Sequence, residues 1–322
     1  VIELNLLKNK ITSAVLKEKE NALAEMKKIE QDWEKRFDEV TNYPLFLFTL
    51  LIIRNLALDE KKMENYYVKF LLANAVNGFT QSSQIVLNKI TNCSIDVQYS
   101  QILMLRNAKP GQKNFTMFKY SETDNLREKA TVELAKLNYK VDVLAKWLVE
   151  DGKYKEAIDI MKPQLNHGHL WSKANYLLFK QTSEFDYLKT SFKELLAELQ
   201  LGQSTQFNRL TYALKTLSIV FEHQDKVELF DLLLDNINKI SPSIWLPLLP
   251  QIIARISSNN LGLRHVVHSL VLYICTQHPN PVLSSLIVPL STATDEKHQI
   301  ALQLVDKIKE MHPQLVIEAD QF

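Results

Sequence analysis

Glycine is scarce in this chain, with six among 322 residues, where an ordinary protein has roughly 7%. Tight hairpins, phosphate-cradling loops and dinucleotide-binding turns draw on glycine's positive φ, so these architectures have little to be built from. Cysteine is scarcer still. Cys93 and Cys275 stand alone, without the paired spacing of a disulfide framework or a metal knuckle, which points to a reducing compartment, the cytosol or nucleus. Neither sign of charge dominates: 38 Lys plus Arg face 37 Asp plus Glu, a net charge of +1. A phosphate-backbone binder needs a basic surplus to displace counterions, so no direct nucleic-acid partner is expected. Long apolar runs are missing too. Leu45 to Ile53 is the most apolar stretch and is closed by Arg54, far short of the roughly 20 residues that span a bilayer. It reads as a buried helix, and no membrane insertion is expected. The first residues mix charge and apolar positions throughout and carry no signal-peptide core.

What is present is helical periodicity. Between Gln299 and Met311, Ile300, Leu304, Ile308 and Met311 fall on one face with Ala301 and Val305 beside them, while Asp306, Lys307, Lys309 and Glu310 take the other. Thr294 is placed to cap this helix and Pro313 to end it. Ser241-Pro242 and Asn280-Pro281 read as two further helix starts, a capping side chain followed by a proline. Taken along the chain, such signals predict about sixteen helices of about ten to twenty residues and no strand. The predicted fold class is all-α: an irregular helical-repeat α-solenoid, TPR/HEAT-like, of antiparallel helix pairs. One pair is more specific. Leu144 to Ile158 places Trp147, small Ala145 and Ala157, and Gly152 in the turn between, a pattern that resembles a tetratricopeptide hairpin. The stretch Lys109-Pro110-Gly111-Gln112-Lys113-Asn114 breaks the pattern. Residues 108–124 are therefore expected to form a loop between a first segment, 1–107, and a second, 125–322. The chain opens without methionine and closes mid-pattern at Asp320-Gln321-Phe322, which suggests a piece excised from something longer.

Catalytic patterns are missing from the sequence. It has no Gly-rich nucleotide loop, no kinase catalytic motifs, no nucleophilic Ser elbow and no zinc-protease helix, so no catalytic residue and no metal ligand is expected. His265 and His268, three apart, lack a third ligand nearby and read as a surface or partly packed pair. In His167-Gly168-His169 the glycine is expected to end a helix and leave both histidines exposed. The basic residues from Lys8 to Lys35 alternate with Glu18, Glu20, Glu25, Glu30 and Glu34, the mark of a solvated helix face. Trp33, Trp147, Trp171 and Trp245 sit at core spacing and read as packing.

A series of short stretches carries a resemblance. Trp245-Leu246-Pro247-Leu248-Leu249-Pro250-Gln251-Ile252-Ile253-Ala254-Arg255-Ile256 resembles a segment in the FAT region of the target-of-rapamycin kinases, members of the phosphatidylinositol 3-kinase-related kinases. Leu214 to Glu222 is similar to that family's Leu-Arg-x-Leu-Thr-Leu-Trp-Phe-Asp stretch. His278-Pro279 and the sequence through Leu315, Val316 and Ala319 are similar to its approach to the rapamycin-binding bundle. Upstream, Trp33 to Phe37, Ile53 to Leu56, Met63 to Phe70, Lys146-Trp147 and Trp171 to Ala174 resemble family motifs in the same order. Ser284-Ser285 and Asn175 depart from the pattern, which keeps the FAT region of another kinase of the wider family, of DNA-damage or RNA-surveillance type, as an alternative.

The resemblance implies a non-catalytic helical scaffold of a serine/threonine kinase in growth and nutrient signalling. Its implied partners are the parent's own kinase domain and rapamycin-binding bundle, other protein subunits and a second copy. ATP and magnesium would belong to that kinase domain. The implied localisation is cytoplasmic, nuclear, or peripheral on endomembranes as part of a complex. Inositol hexakisphosphate is the ligand the wider family implies, with Arg54 on one of its contact positions and Ile85 and Val143 on neighbouring ones that are basic elsewhere. An ordinary helix-surface charge is the other reading of Arg54. From the residues alone, a freestanding repeat adaptor also stays open.

Overall fold

The computed structural model describes residues 2–13, 16–40, 43–56, 58, 60–77, 80–90, 94–107, 125–162, 168–201, 206–292 and 295–313. All regular structure among them is helical, with seventeen α-helices and no strand, so the expected all-α class holds. Two compact units divide the chain, 1–147 and 148–322.

The first unit contains α1 (Ile2–Ser13), α2 (Leu16–Glu39), α3 (Pro44–Asn55), α4 (Glu60–Asn77), α5 (Thr80–Leu87), α6 (Ile95–Arg106), α7 (Leu126–Leu137) and the first part of α8 (Val141–Glu150). Packing runs between chain neighbours, α1 on α2, α3 on α4 and α6 on α7, with α4 also meeting α5 and α6. Local chemistry sets the ends. Pro44 opens α3, where its missing amide costs nothing. The Ser94 hydroxyl accepts from the Val97 amide at 3.4 Å to open α6, and Asn125 accepts from Glu128 to open α7. Phe37, Leu47, Met63, Phe70 and Leu71 form the centre of this unit's core. The expected loop at 108–124 lies outside the described residues, and the helices flanking it, α6 and α7, pack together within this one unit.

The second unit holds the rest of α8, then α9 (Tyr154–Met161), α10 (Gly168–Thr182), α11 (Phe185–Leu201), α12 (Gln206–Glu222), α13 (Val227–Ile237), α14 (Leu249–Ile253), α15 (Leu261–Cys275), α16 (Pro279–Thr292) and α17 (Asp295–Met311). Successive pairs again pack together, α9 with α10, α10 with α11, α11 with α12, and α15 with α16 and α17. The two-residue link at 183–184 forces α10 and α11 antiparallel. Small residues let them approach. Ser172 donates to the Ser191 carbonyl at 3.0 Å, and both serines are buried. The turn at Gly152 is as expected, with φ +78 and the Lys153 amide reaching back to the Leu148 carbonyl at 2.8 Å. The pattern within each unit is that of a helical-repeat array built from neighbouring antiparallel pairs.

Several local expectations are corrected. Ser241-Pro242 opens no α-helix: two short 3-10 turns, Pro242–Ile244 and Leu246–Leu248, flank a fully buried Trp245 before α14 begins. Pro247 and Pro250 withhold the amides a continuous helix would need. α16 begins at Pro279, so Asn280 lies inside its first turn and is not its cap. On α17, Ile300, Ala301, Leu304 and Ile308 are buried and the four charged positions are exposed, but Met311, the last residue of the helix, is 41% exposed. Gly168 starts α10 and ends nothing. Thr294, His167, Cys93 and the residues after Pro313 lie outside the described set.

Candidate functional site

Arg54 occupies the last turn of α3 and is only 3% exposed, so it is no helix-surface charge. Its guanidinium carbon sits 4.7 Å from the Phe37 ring centre and 4.6 Å from that of Tyr66, with the Trp33 ring at 5.8 Å. Nη2 donates to the Trp33 carbonyl, and Nη1 is buried with no hydrogen-bond partner. Phe37 and Tyr66 meet edge-on at 5.1 Å, which fixes the two rings around the cation. Burial pushes the Arg54 pKa below its ordinary value, opposed by the fields of Tyr66 and Asp38. Burial also raises the Tyr66 hydroxyl's pKa, opposed by Arg54. Lys69 of α4 reaches Asp38 at 2.8 Å and Glu34 at 3.2 Å on α2, an exposed pair of links over the same junction.

Arg106 repeats the arrangement at the end of α6. It is buried, stacks 5.1 Å from the Trp147 ring centre, and donates to the Arg127 carbonyl at 3.2 Å and the Thr131 hydroxyl at 3.3 Å. Both arginines stand in the last turn of a helix, where the macrodipole favours a cation. A buried cation on an aromatic face is stabilised by the ring quadrupole, by about 2 kcal/mol when desolvated. Sequence periodicity passed over Arg106 because its partners come from helices 21 and more residues away.

In the second unit, α10, α11 and α12 enclose a cavity of about 290 Å³. Its lining includes His169, Lys173 and Lys215, of which Lys173 is exposed and the other two are half-buried, and these three are taken as its mouth. Lys215 lies 3.2 Å from His169 Nε2. An ammonium only donates, so His169 accepts at Nε2 and keeps its proton on Nδ1. His169 was expected to be exposed; it is half-buried and packs on Tyr212 at 5.3 Å between ring centres. Burial, then Lys215 and Lys173, lower its pKa. Burial and Lys173 likewise lower the pKa of Lys215.

Of the remaining candidates, His268 and Cys275 are packing groups. His268 lies 3.0 Å from the Ile256 carbonyl, while His265 is exposed. Cys275 is buried at the end of α15 and its thiol is pushed up to about 11 by burial. Among the described residues no group of three His, Cys, Asp or Glu is arranged to hold a metal, and no helix is long and apolar enough to cross a membrane.

No family profile matches the chain. Individual proteins do. It is 31% identical over 106 residues to the serine/threonine-protein kinase TOR of Arabidopsis thaliana, and 33% identical over 106 residues to that of Oryza sativa subsp. japonica. It is 28% identical over 112 residues to the serine/threonine-protein kinase mTor of Drosophila melanogaster. Over about a third of its length the chain is TOR-like. The matched stretch covers 33 to 35% of this chain and 4% of each of those kinases. The one site residue expected from the sequence is a caged core cation, and the cationic cavity of α10 to α12 is a feature the sequence did not announce.

Proposed function

We propose that this chain is the FAT region of a TOR-like serine/threonine protein kinase and acts as a non-catalytic helical scaffold. The observation that carries this reading is the similarity to TOR kinases of three organisms together with an all-helical, chain-ordered packing. Stacked helix pairs hold separated surfaces in fixed relation. The scaffold would clamp the kinase domain, contact the rapamycin-binding bundle and position partner subunits or a second copy. Its contribution to phosphoryl transfer would be a bias on which kinase conformations are populated, with ATP and magnesium held by the kinase domain. The complex would work in the cytoplasm or nucleus, or on the surface of endomembranes, in growth and nutrient signalling.

Co-expression with the kinase-bearing part of its parent tests this directly. Co-purification of the two parts supports the clamp, and separate elution overturns it. Inositol hexakisphosphate is proposed as a ligand of the same scaffold, with Arg54 as one contact. The support is the resemblance at that position alone: the guanidinium is 3% exposed, so the ligand would have to open the Phe37–Tyr66 cage to reach it. Inositol hexakisphosphate should raise the Tm of the wild type more than that of Arg54→Ala, each measured against its own unliganded value. Equal shifts would remove Arg54 from the site.

A further inference from the structure

We infer that the cavity enclosed by α10, α11 and α12 binds a small organic phosphate monoester, its anion at the Lys173, Lys215 and His169 mouth and its apolar body against Leu177, Leu195 and Ile219. The walls set the first half of this specificity. Leu195 and Ile219 are 2% and 3% exposed and Leu177 is half-buried, so the interior is aliphatic. The polar groups deeper in are already committed: Ser172 bonds to Ser191, and at the rim Glu222 accepts from Tyr176 and Ser218, each at 3.2 Å. A ligand body entering here therefore meets hydrocarbon and needs no polar partners.

The mouth sets the second half. His169 and Lys173 are four apart on one face of α10, and Lys215 comes from α12 to within 3.2 Å of His169. Two ammonium groups are thus gathered beside the imidazole at a partly desolvated edge, where burial and then Lys173 disfavour the charged form of Lys215, and burial, Lys215 and Lys173 that of His169. Among the described residues no carboxylate lies within ion-pair distance of Lys173 or Lys215. Of the acids nearby, Glu222 holds the two hydroxyls, while Glu198 of α11 lies beside Gly168, the chain neighbour of His169. Two ammonium groups and an imidazole around one opening suit a dianion better than a carboxylate, since every donor then finds an acceptor oxygen. A volume of about 290 Å³ lies at the small end of ligand pockets, roughly 300–1,000 Å³. That admits a compact body such as one ring, and it is too small for a nucleotide.

Phenyl phosphate is the probe, titrated calorimetrically into the whole chain, with inorganic phosphate and phenol as controls. The expected result is saturable binding of phenyl phosphate below about 1 mM, with both controls at least about tenfold weaker. Lys215→Gln and Lys173→Gln should each weaken phenyl phosphate at least about tenfold, while Lys193→Gln on the exposed side of α11 leaves it unchanged. A second readout separates this from a folding defect. Without ligand, Lys215→Gln should melt no lower than wild type, because it removes a repelled charge, and phenyl phosphate should reverse that order. Lys173 is exposed, so its variant carries the test if Lys215→Gln does not fold. No saturable binding by wild type, equal affinity for inorganic phosphate, or unchanged binding in both lysine variants would overturn the inference.

Discussion

The guanidinium of Arg54 and the ring of Tyr66, on consecutive helices α3 and α4, lie 4.6 Å apart at the centre of the first unit. A buried cation held on two ring faces is costly to leave half-supported. Arg54→Ala should lower the unfolding free energy by about 3 kcal/mol or more, since it opens a cavity between the Phe37 and Tyr66 rings and removes the bond to the Trp33 carbonyl. Arg54→Met keeps most of the volume without a charge to desolvate and should cost less. Urea unfolding of the three proteins checks the order, and a costlier Met variant would show that the charge itself stabilises the core.

Gly152 offers a cleaner backbone test. Its φ is +78, and a β-carbon there would meet nothing within 4 Å. Gly152→Ala should therefore cost only the left-handed conformation, about 1–2 kcal/mol, readable as a lower Tm with unchanged helical content.

Asn260 joins two elements with one side chain. It accepts from the Leu263 amide at 2.9 Å to cap α15 and donates to the Gln224 carbonyl at 2.9 Å. Asn260→Ala should cost about 2 kcal/mol, at the upper end for a cap because the second bond is lost too. Asn260→Asp keeps the acceptor and loses the donor, so denaturant midpoints should fall in the order Asn, Asp, Ala.

The Cys275 thiol, pushed up to about 11 by burial, should stay unlabelled by iodoacetamide at pH 8 until the chain unfolds. Mass spectrometry of its peptide is the readout. An acid whose folded pKa is raised stays protonated in the folded state while the unfolded thiol ionises. Its contribution to stability is therefore intact below about pH 8.5 and lost as pH rises from there through about 11.

Helix identity was legible wherever burial follows a single face. α17 shows this, since its buried and exposed residues alternate as the 3.6-residue period requires. Boundaries at Ser241 and Gly168 were not. At Ser241 the later prolines decided the outcome, and at Gly168 the glycine opens α10 where the sequence suggested a helix end. Arg54 was visible as a position but not as a buried group, because its cage is assembled from Trp33, Phe37 and Tyr66 on two other helices. The cationic mouth is of the same kind. His169 and Lys173 share a helix face that the sequence does display, while Lys215 arrives only through the packing of α12.

The central claim, that the chain contributes position and no chemistry, is tested most directly by phosphoryl transfer from ATP to a peptide substrate. The kinase-bearing part of the parent would be assayed alone and with increasing amounts of this chain. The account predicts no transfer by the chain alone, and a change in the kinase rate that saturates once the two parts are equimolar. A kinase rate unmoved by excess chain, or transfer catalysed by the chain itself, would contradict it.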